Sequence, residues 1–512
     1  MLCVRLFIFL ALVARARAST VNNQVCATSS TSSGTNFFPP AARLSPDYAF
    51  FSEGSADAFV DGGDAFNVTY AETYKVVRTK PLASVPSMTY VLYQCGTTQP
   101  TTDVDGSTFP ADARFFTVPV KSVATGLSVA YGYLEQLGLR DTLKLIDPAY
   151  VHAPCVQKAE ESGTLAASHV EYDFSDYSFN YTLWHDKIST INPDIVITDE
   201  WNSGFSNSSK DVLFTPSHSE LGMLERLYMI KFLSLFFNKE SQASAYTADQ
   251  FERWTYMSQN VAAAQARGGI PSGLKCAWVT AGYGTYKITW DDYKHDICTA
   301  AGLSTHIPSA ASSSARSYTY PTKAVFLDDM ASIAVVIDES YFGTPSTSAT
   351  KTAVISNLAF DEAPNLPSLS PSTGMILRLD KHVSDGDTSY SHPTFNPTES
   401  LTWYEDSFVH SAAVVQDLVR LSWMNGVAGI TPLQEGCPRF FRDINDPTDV
   451  VVKTTANECE LWDNARVQGL CLAQLSAQRA TVAALLAQSH AARVGAYLVS
   501  VTLVTMVTII VA

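Results

Sequence analysis

The residues best suited to chemistry in this chain are aromatics, with one histidine, at the ends of strand-like runs. Tyr150 and His152 follow LKLI (143–146), and Trp201 follows INPDIVIT (191–198). Tyr283 and Tyr286 follow LKCAWVTA (274–281), and Tyr341 follows IAVVIDES (333–340). Aromatic walls bury a large ligand area while their polar tips fix its orientation. Taken singly, each of these side chains is equally at home in packing. Together they suit a bulky, planar or chelated ligand.

Covalent catalysis has no comparable support. The sequence contains no H-E-x-x-H, no G-x-S-x-G, no phosphate-binding P-loop and no dinucleotide fingerprint, and Gly282-Tyr-Gly284 lacks the third glycine. His152, His218, His382 and His392 are not at paired ligand spacing, and Asp385-Gly-Asp387 lacks the rest of a calcium loop. We therefore expect no catalytic residue, no protein-held metal and no enzyme.

These aromatics need elements to position them. Near-continuous apolar strands at 143–146, 191–198, 274–281 and 333–340 alternate with helical patterns, which indicates parallel α/β layers. VPVKSVA (118–124) reads as one further buried strand, running through Thr125-Gly126 into a helical face of Leu127, Ala130, Leu134 and Leu137. From Ser217 to about Arg267 the pattern is helical, with Ser217-x-x-Glu220 as a capping box and Asn238 as a break between two helices. WDDYKHDICTAAGL (290–303) and Phe408 to Trp423 read as helices.

The fold class expected is α/β: two lobes joined by a long helical segment, with a ligand cleft between them. The boundaries are a signal peptide at 1–18, a Ser/Thr-rich leader at 19–64 that is expected to be loose over 26–35, an N-terminal α/β lobe at 65–216 and a helical connector at 217–268. A C-terminal α/β lobe at 269–436, a Cys-containing segment at 437–475, and a spacer with hydrophobic tail at 476–512 follow. The lobes echo each other: Ile195-Val-Ile-Thr-Asp-Glu-Trp201 matches Val335-Val-Ile-Asp-Glu-Ser-Tyr341. Carboxyl ends of parallel strands open onto ligand crevices, so Trp201 and Tyr341 are expected to face one.

Composition places the chain outside the cytoplasm. Arg5, the apolar run Leu6 to Val13 and Ala16-Arg17-Ala18 form a secretory signal, too short to span about 30 Å of hydrocarbon. Val494 to Ala512 is uncharged and reads as a lipid-anchor (GPI) signal or a single transmembrane helix. Of nine cysteines, Cys3 falls in the signal; the other eight suit structural disulfides in an oxidising compartment, with Cys276–Cys298 expected as one. Asn67, Asn180 and Asn207 open glycosylation sequons. The net charge of −16, without any basic run, excludes nucleic acid as a partner.

VPVKSVATGLSVAYGYLEQLGL, INPDIVITDEW, IAVVIDESY and LTWYEDSFVHSAAVVQDLVRLSW carry a resemblance. Over roughly 65–435 the chain resembles the bacterial periplasmic binding proteins for iron–siderophore complexes, haem and cobalamin. It is closest in type to ferrichrome-binding-like surface proteins of eukaryotic algae. In the cobalamin-binding relatives a tryptophan follows the INPDIVIT-like strand on the ligand face, and Trp201 occupies the similar place. The resemblance implies a surface protein that captures a ferric siderophore, with haem or cobalamin as the alternative ligand and no intrinsic cofactor. A hydroxamate chelate wraps its iron and needs no protein ligand. The family's permease-docking glutamates have no counterpart to point to here, so the uptake partner stays open. The reading from composition alone leaves one more alternative, an adhesive or structural surface glycoprotein.

Overall fold

Every strand run that carries a singled-out aromatic becomes a strand in the computed structural model of this chain, though not always with the expected partners. The structure describes residues 23–28, 35–44, 59–61, 65–83, 85–168, 171–173, 178–201, 203–207, 209–312, 315–370, 374–384, 399–423 and 439–460. The signal, the hydrophobic tail, Cys437, Cys471 and Asp385-Gly-Asp387 lie outside them. Among the described residues no helix is long and apolar enough to cross a membrane. The chain divides into two α/β units. The first takes its residues from 1–147, 167–252 and 291–293, and the second from 148–166, 253–290 and 294–512.

The first unit holds two larger sheets and a two-stranded antiparallel pair, Glu171–Asp173 with Ser178–Asn180. Phe59–Asp61, Phe66–Tyr70, Tyr74–Thr79, Thr89–Gln94 and Arg114–Val118 pair in that order, antiparallel except for the last pair. The second sheet is parallel, in the spatial order Asp211–Leu213, Ile195–Thr198, Val123–Thr125, Leu143–Ile146. The run at 118–124 is thus not one strand but the end of one and the start of another. Pro119, which has no N–H to give a ladder, separates them, after a cis bond from Val118. Phe66, Tyr90, Phe116, Phe214, Phe232 and Phe236 form the aromatic core of this unit.

The connector consists of Met223–Leu235 and Glu240–Ala266, with Asn238 in the left-handed region between them at φ 54°. Its cap differs from the expectation. Gly222 precedes the first helix, and Glu225 accepts the Gly222 N–H at 2.7 Å, so the box sits five residues beyond Ser217-x-x-Glu220. Asn238 takes the bend because its side chain is used: Oδ1 accepts from the buried Lys75 ammonium at 2.9 Å, and Nδ2 donates to the Asn23 carbonyl at 2.6 Å. Lys75 also pairs with Glu240, the first residue of the long helix. Residues 240–252 of that helix belong to the first unit and the remainder to the second.

Residues 23–28 and 35–44 of the leader are anchored. Cys26 bonds Cys95, Gln24 donates to the Phe237 and Asn238 carbonyls, and Phe37, Phe38 and Leu44 are buried. A Ser/Thr-rich composition conceals these few apolar and amide anchors.

The second unit is built on one mixed sheet. Lys275–Gly282, Val335–Asp338 and Met375–Arg378 run parallel, with Thr285–Thr289 and Ser317–Thr319 added antiparallel on one side and Arg442–Asp443 on the other. Cys276 pairs with Cys298 and Cys155 with Cys459. A separate parallel pair joins His382–Ser384 to Val452–Thr454.

That pair covers a buried histidine site. His152 Nε2 lies 2.7 Å from Thr402 Oγ1 and 2.9 Å from Thr454 Oγ1. Burial first, then His152, Arg439 and Lys381, hold the His382 imidazole well below its usual range. The native state therefore refuses a proton that the unfolded chain accepts near pH 6.5. Stability is fully present above that pH and is lost as pH falls below it, by up to about 1.4 kcal/mol per pH unit for one proton. Thermal melts between pH 7 and 5 are expected to fall more steeply in the natural protein than in His382→Gln. Parallel curves would remove His382 from the cause.

Candidate functional site

In the first unit the carboxyl ends of three parallel strands meet at one face. Thr125 Oγ1 donates to the Ile197 carbonyl at 3.1 Å, and the Tyr131 hydroxyl is shared between the carbonyls of Thr125 and Asp147. The strand Ile195–Thr198 is wholly buried and leaves the sheet through Asp199, whose Oδ1 accepts the Trp201 N–H at 3.0 Å. This Asx turn directs the chain outward, and the Trp201 side chain is 75% exposed. A core tryptophan would be sealed from water; this one is not. Glu200 instead turns its carboxylate oxygens inward, where burial pushes the carboxyl up.

The loop that carries Trp201 is fastened a few residues later. Phe205 packs on Trp184 and Tyr181, with ring centres 4.7 and 5.1 Å away, and the Trp184 indole N–H donates to the Phe205 carbonyl. Its ring also lies over Gly126, where a Cβ would come within 2.3 Å of it. Gly126 is therefore a close-approach glycine rather than part of a phosphate loop. Gly126→Val is expected to push Phe205 away, cost about 1–3 kcal/mol by overpacking, and shift the tryptophan emission. Unchanged emission and melting would show that the loop does not depend on this contact.

The second unit repeats the device. Val335–Asp338 is buried throughout, and Asp338 Oδ1 accepts the Ser340 N–H at 3.0 Å, two residues on, as Asp199 does. Tyr341 then emerges 69% exposed. Ser340 uses every polar group it has: its Oγ accepts the Ala281 N–H at 2.8 Å, and its carbonyl accepts from Arg378 Nη2 at 3.2 Å. Ala281 begins the approach to the Tyr283 turn, so Ser340 couples the two tyrosine-bearing segments. Burial first, then the Tyr283 phenol, raise the Tyr341 pKa.

Tyr283 directly follows the strand Lys275–Gly282, as the sequence suggested, but it lies in a tight turn. Tyr283 and Gly284, at φ 51° and 77°, form the two-residue turn of a hairpin between Lys275–Gly282 and Thr285–Thr289. The ring stands fully in solvent at its tip.

Two expected contacts are corrected. Tyr286 is 8% exposed, stacked on Phe326 at 4.6 Å, because inward and outward residues alternate along its strand and Tyr286 falls on the inward side with Ile288. His152 is fully buried between Thr402 and Thr454, and its N–H and that of Ala153 donate to the two oxygens of Glu405 at 2.7 and 2.9 Å. Glu405 thereby places a carboxylate just ahead of the helix Pro154–Glu161, where a helix start favours negative charge. Tyr150 is exposed on the Pro148–Tyr150 turn.

Sequence reasoning overlooked Tyr404. It lies half exposed on the helix Thr402–Asp406, and burial, then the Glu339 carboxylate, push its phenol up to about 12. Glu339 itself pairs with Lys294 and accepts the Thr289 hydroxyl. The Tyr-Glu-Asp triplet at 404–406 gave no periodic signal that would separate an exposed aromatic from a core one.

Among the described residues no cluster of three or more His, Cys, Asp or Glu could hold a metal ion. No family model matches the sequence, and no curated protein matches it. Solved structures are similar in backbone at low identity. A periplasmic binding protein from Veillonella parvula aligns with a TM-score of 0.43 and 9% identity, over 60% of this chain and 92% of that one. A petrobactin-binding protein from Bacillus subtilis gives 0.41 and 14%, over 68% and 97%. A periplasmic haem-binding protein from Pseudomonas aeruginosa gives 0.38 and 15%, over 65% and 99%.

Proposed function

We propose that this protein is an exported binding protein that captures a bulky metal chelate, with a ferric siderophore of the ferrichrome type as the favoured ligand. One observation carries the reading: in each unit a buried parallel strand ends in an Asp that turns the chain outward and presents a solvent-exposed aromatic, Trp201 in one and Tyr341 in the other. Exposed aromatics cost solvation and recur where a ligand will cover them. Trp201, Tyr341 and Tyr283 are the proposed ligand contacts, with Tyr404 added and Tyr150 kept as an outlying one. Haem is the second reading, favoured by the exposed phenols of Tyr283 and Tyr341, since a tyrosine can ligate haem iron directly.

Export is supported by the three disulfides among the described residues, since such bonds persist in oxidising compartments. We place the protein at the outer face of a membrane, held by residues 494–512. Phospholipase treatment of cells is expected to release it. Retention with the C-terminus intact would favour a transmembrane helix.

The binding reading is tested on the purified protein with a ferric hydroxamate, haemin and cobalamin. Saturable quenching of tryptophan emission by the ferric hydroxamate is the expected result, and a porphyrin band that co-purifies would favour haem. Absence of binding to all three would leave the adhesive glycoprotein as the better description.

A further inference from the structure

The fold treats the three Asn-x-Ser/Thr triplets differently. Asn67 is half-buried in the middle of the strand Phe66–Tyr70, with Asp61 and Arg78 opposite it on the neighbouring strands. Asn207 is half-buried in a turn in which Asp211 Oδ1 holds its N–H at 2.6 Å, while the Ser206 hydroxyl takes the other oxygen of that carboxylate. Asn180 is exposed, and so is Thr182, the other residue a sequon needs. Asn180 Oδ1 accepts the Thr182 N–H at 3.0 Å. This Asx turn brings the amide and the threonine together and leaves the amide nitrogen, the atom a sugar attaches to, out of the bond.

The triplet has a definite place in the first unit. The Tyr181 ring is edge-on to Phe205 at 5.1 Å, and lies so close to Gly204 that a Cβ there would meet it at 2.1 Å. Asp147 and Asp199, each following a strand of the parallel sheet, act on the Tyr181 phenol, whose pKa burial raises first. Asn180 therefore stands at the margin of residues 199–205, the loop that carries Trp201.

We propose that Asn180 carries an N-linked oligosaccharide at the rim of the Trp201 loop, and that this glycan limits the size of what reaches Trp201. The proposal rests on the export reading. In the modification the Asn180 amide nitrogen bonds to the anomeric carbon of an oligosaccharide carried on a polyprenyl pyrophosphate. The anomeric C–O bond breaks, the pyrophosphate leaves with its electron pair, and the amide gives up one proton. The Oδ1 bond to Thr182 is untouched by this chemistry.

The test uses the full chain secreted from a eukaryotic cell, with Asn180→Gln and Thr182→Ala as two independent ways to remove the sequon. Glycopeptide mapping is expected to find sugar on Asn180 and none on Asn67. An unmodified Asn180 in secreted protein overturns the proposal. Access to Trp201 is read as the difference in quenching between each protein and its Trp201→Phe counterpart. A dextran-linked quencher is expected to reach Trp201 several-fold better in both variants than in the glycoprotein, while acrylamide reaches it equally in all three. Equal dextran quenching with an occupied site overturns the rim role. Neither readout uses a ligand, so failure of the chelate reading is distinguishable from failure of this one.

Discussion

Trp201→Ala is expected to weaken chelate binding by about 1–3 kcal/mol, roughly 5- to 150-fold, while leaving the melting temperature nearly unchanged. The first part follows from the behaviour of central aromatic anchors, which lose energies of this order on truncation. The second follows from exposure: a side chain that is 75% in solvent has little burial to lose. Its backbone also stays in place, because the Asp199 bond is to the Trp201 N–H and not to the indole. Titration calorimetry and a thermal melt on the same preparation decide the matter. A destabilised variant whose binding falls only in proportion to unfolding would return Trp201 to packing and sink its ligand role.

Arg378→Met is expected to have the largest effect on stability, about 3–5 kcal/mol, because it leaves the buried Asp338 without its cation and Asp380 with Arg442 alone. Arg378 pairs with Asp338 and Asp380, all of them buried, and its guanidinium lies over the Phe342 ring at 4.5 Å. Arg442 adds a second cation on Asp380 at 2.8 Å. Burial works against the Asp380 charge, yet the two arginines outweigh it and hold its carboxyl below the usual range. Its contribution is thus present above about pH 4 and is lost as pH falls through the depressed folded value. A second substitution, Asp338→Asn, removes one stranded charge while keeping the acceptor for Ser340, and is expected to restore part of the melting temperature. If the double variant is no more stable than the single one, unpaired charge is not what destabilises it.

Much of the scaffold was legible because parallel strands buried on both faces are short apolar runs, and IVIT and VVID needed no tertiary information to be read as such. The helix break at Asn238 was legible for a similar local reason, since few other residues adopt a left-handed bend. The misreadings share a different cause. His152 looked like a loop histidine available to a ligand because the residues that bury it, Thr402, Glu405 and Thr454, are distant in the chain. Tyr286 was misplaced although its alternation with Lys287 and Ile288 was visible, because Gly282-Tyr-Gly284 was weighed as a fragment of a nucleotide motif rather than as a hairpin turn. The echo between 195–201 and 335–341 does not extend to the turn: the bond is made by Asp199 to Trp201 in one and by Asp338 to Ser340 in the other, one position earlier in the aligned segments.

The bridge between Cys155 and Cys459 has a mechanical consequence. When the chain is pulled from its two ends, tension crosses from residue 155 to 459 through sulfur, so the 304 positions of that separation carry none of it. At about 3.4 Å per extended residue this hides a contour length on the order of 100 nm. The mixed sheet of the second unit, with Cys276–Cys298 inside it, belongs to the hidden portion. Oxidised protein stretched between bead and surface should therefore lack that extension, and adding a reductant should make it appear as one late, long step.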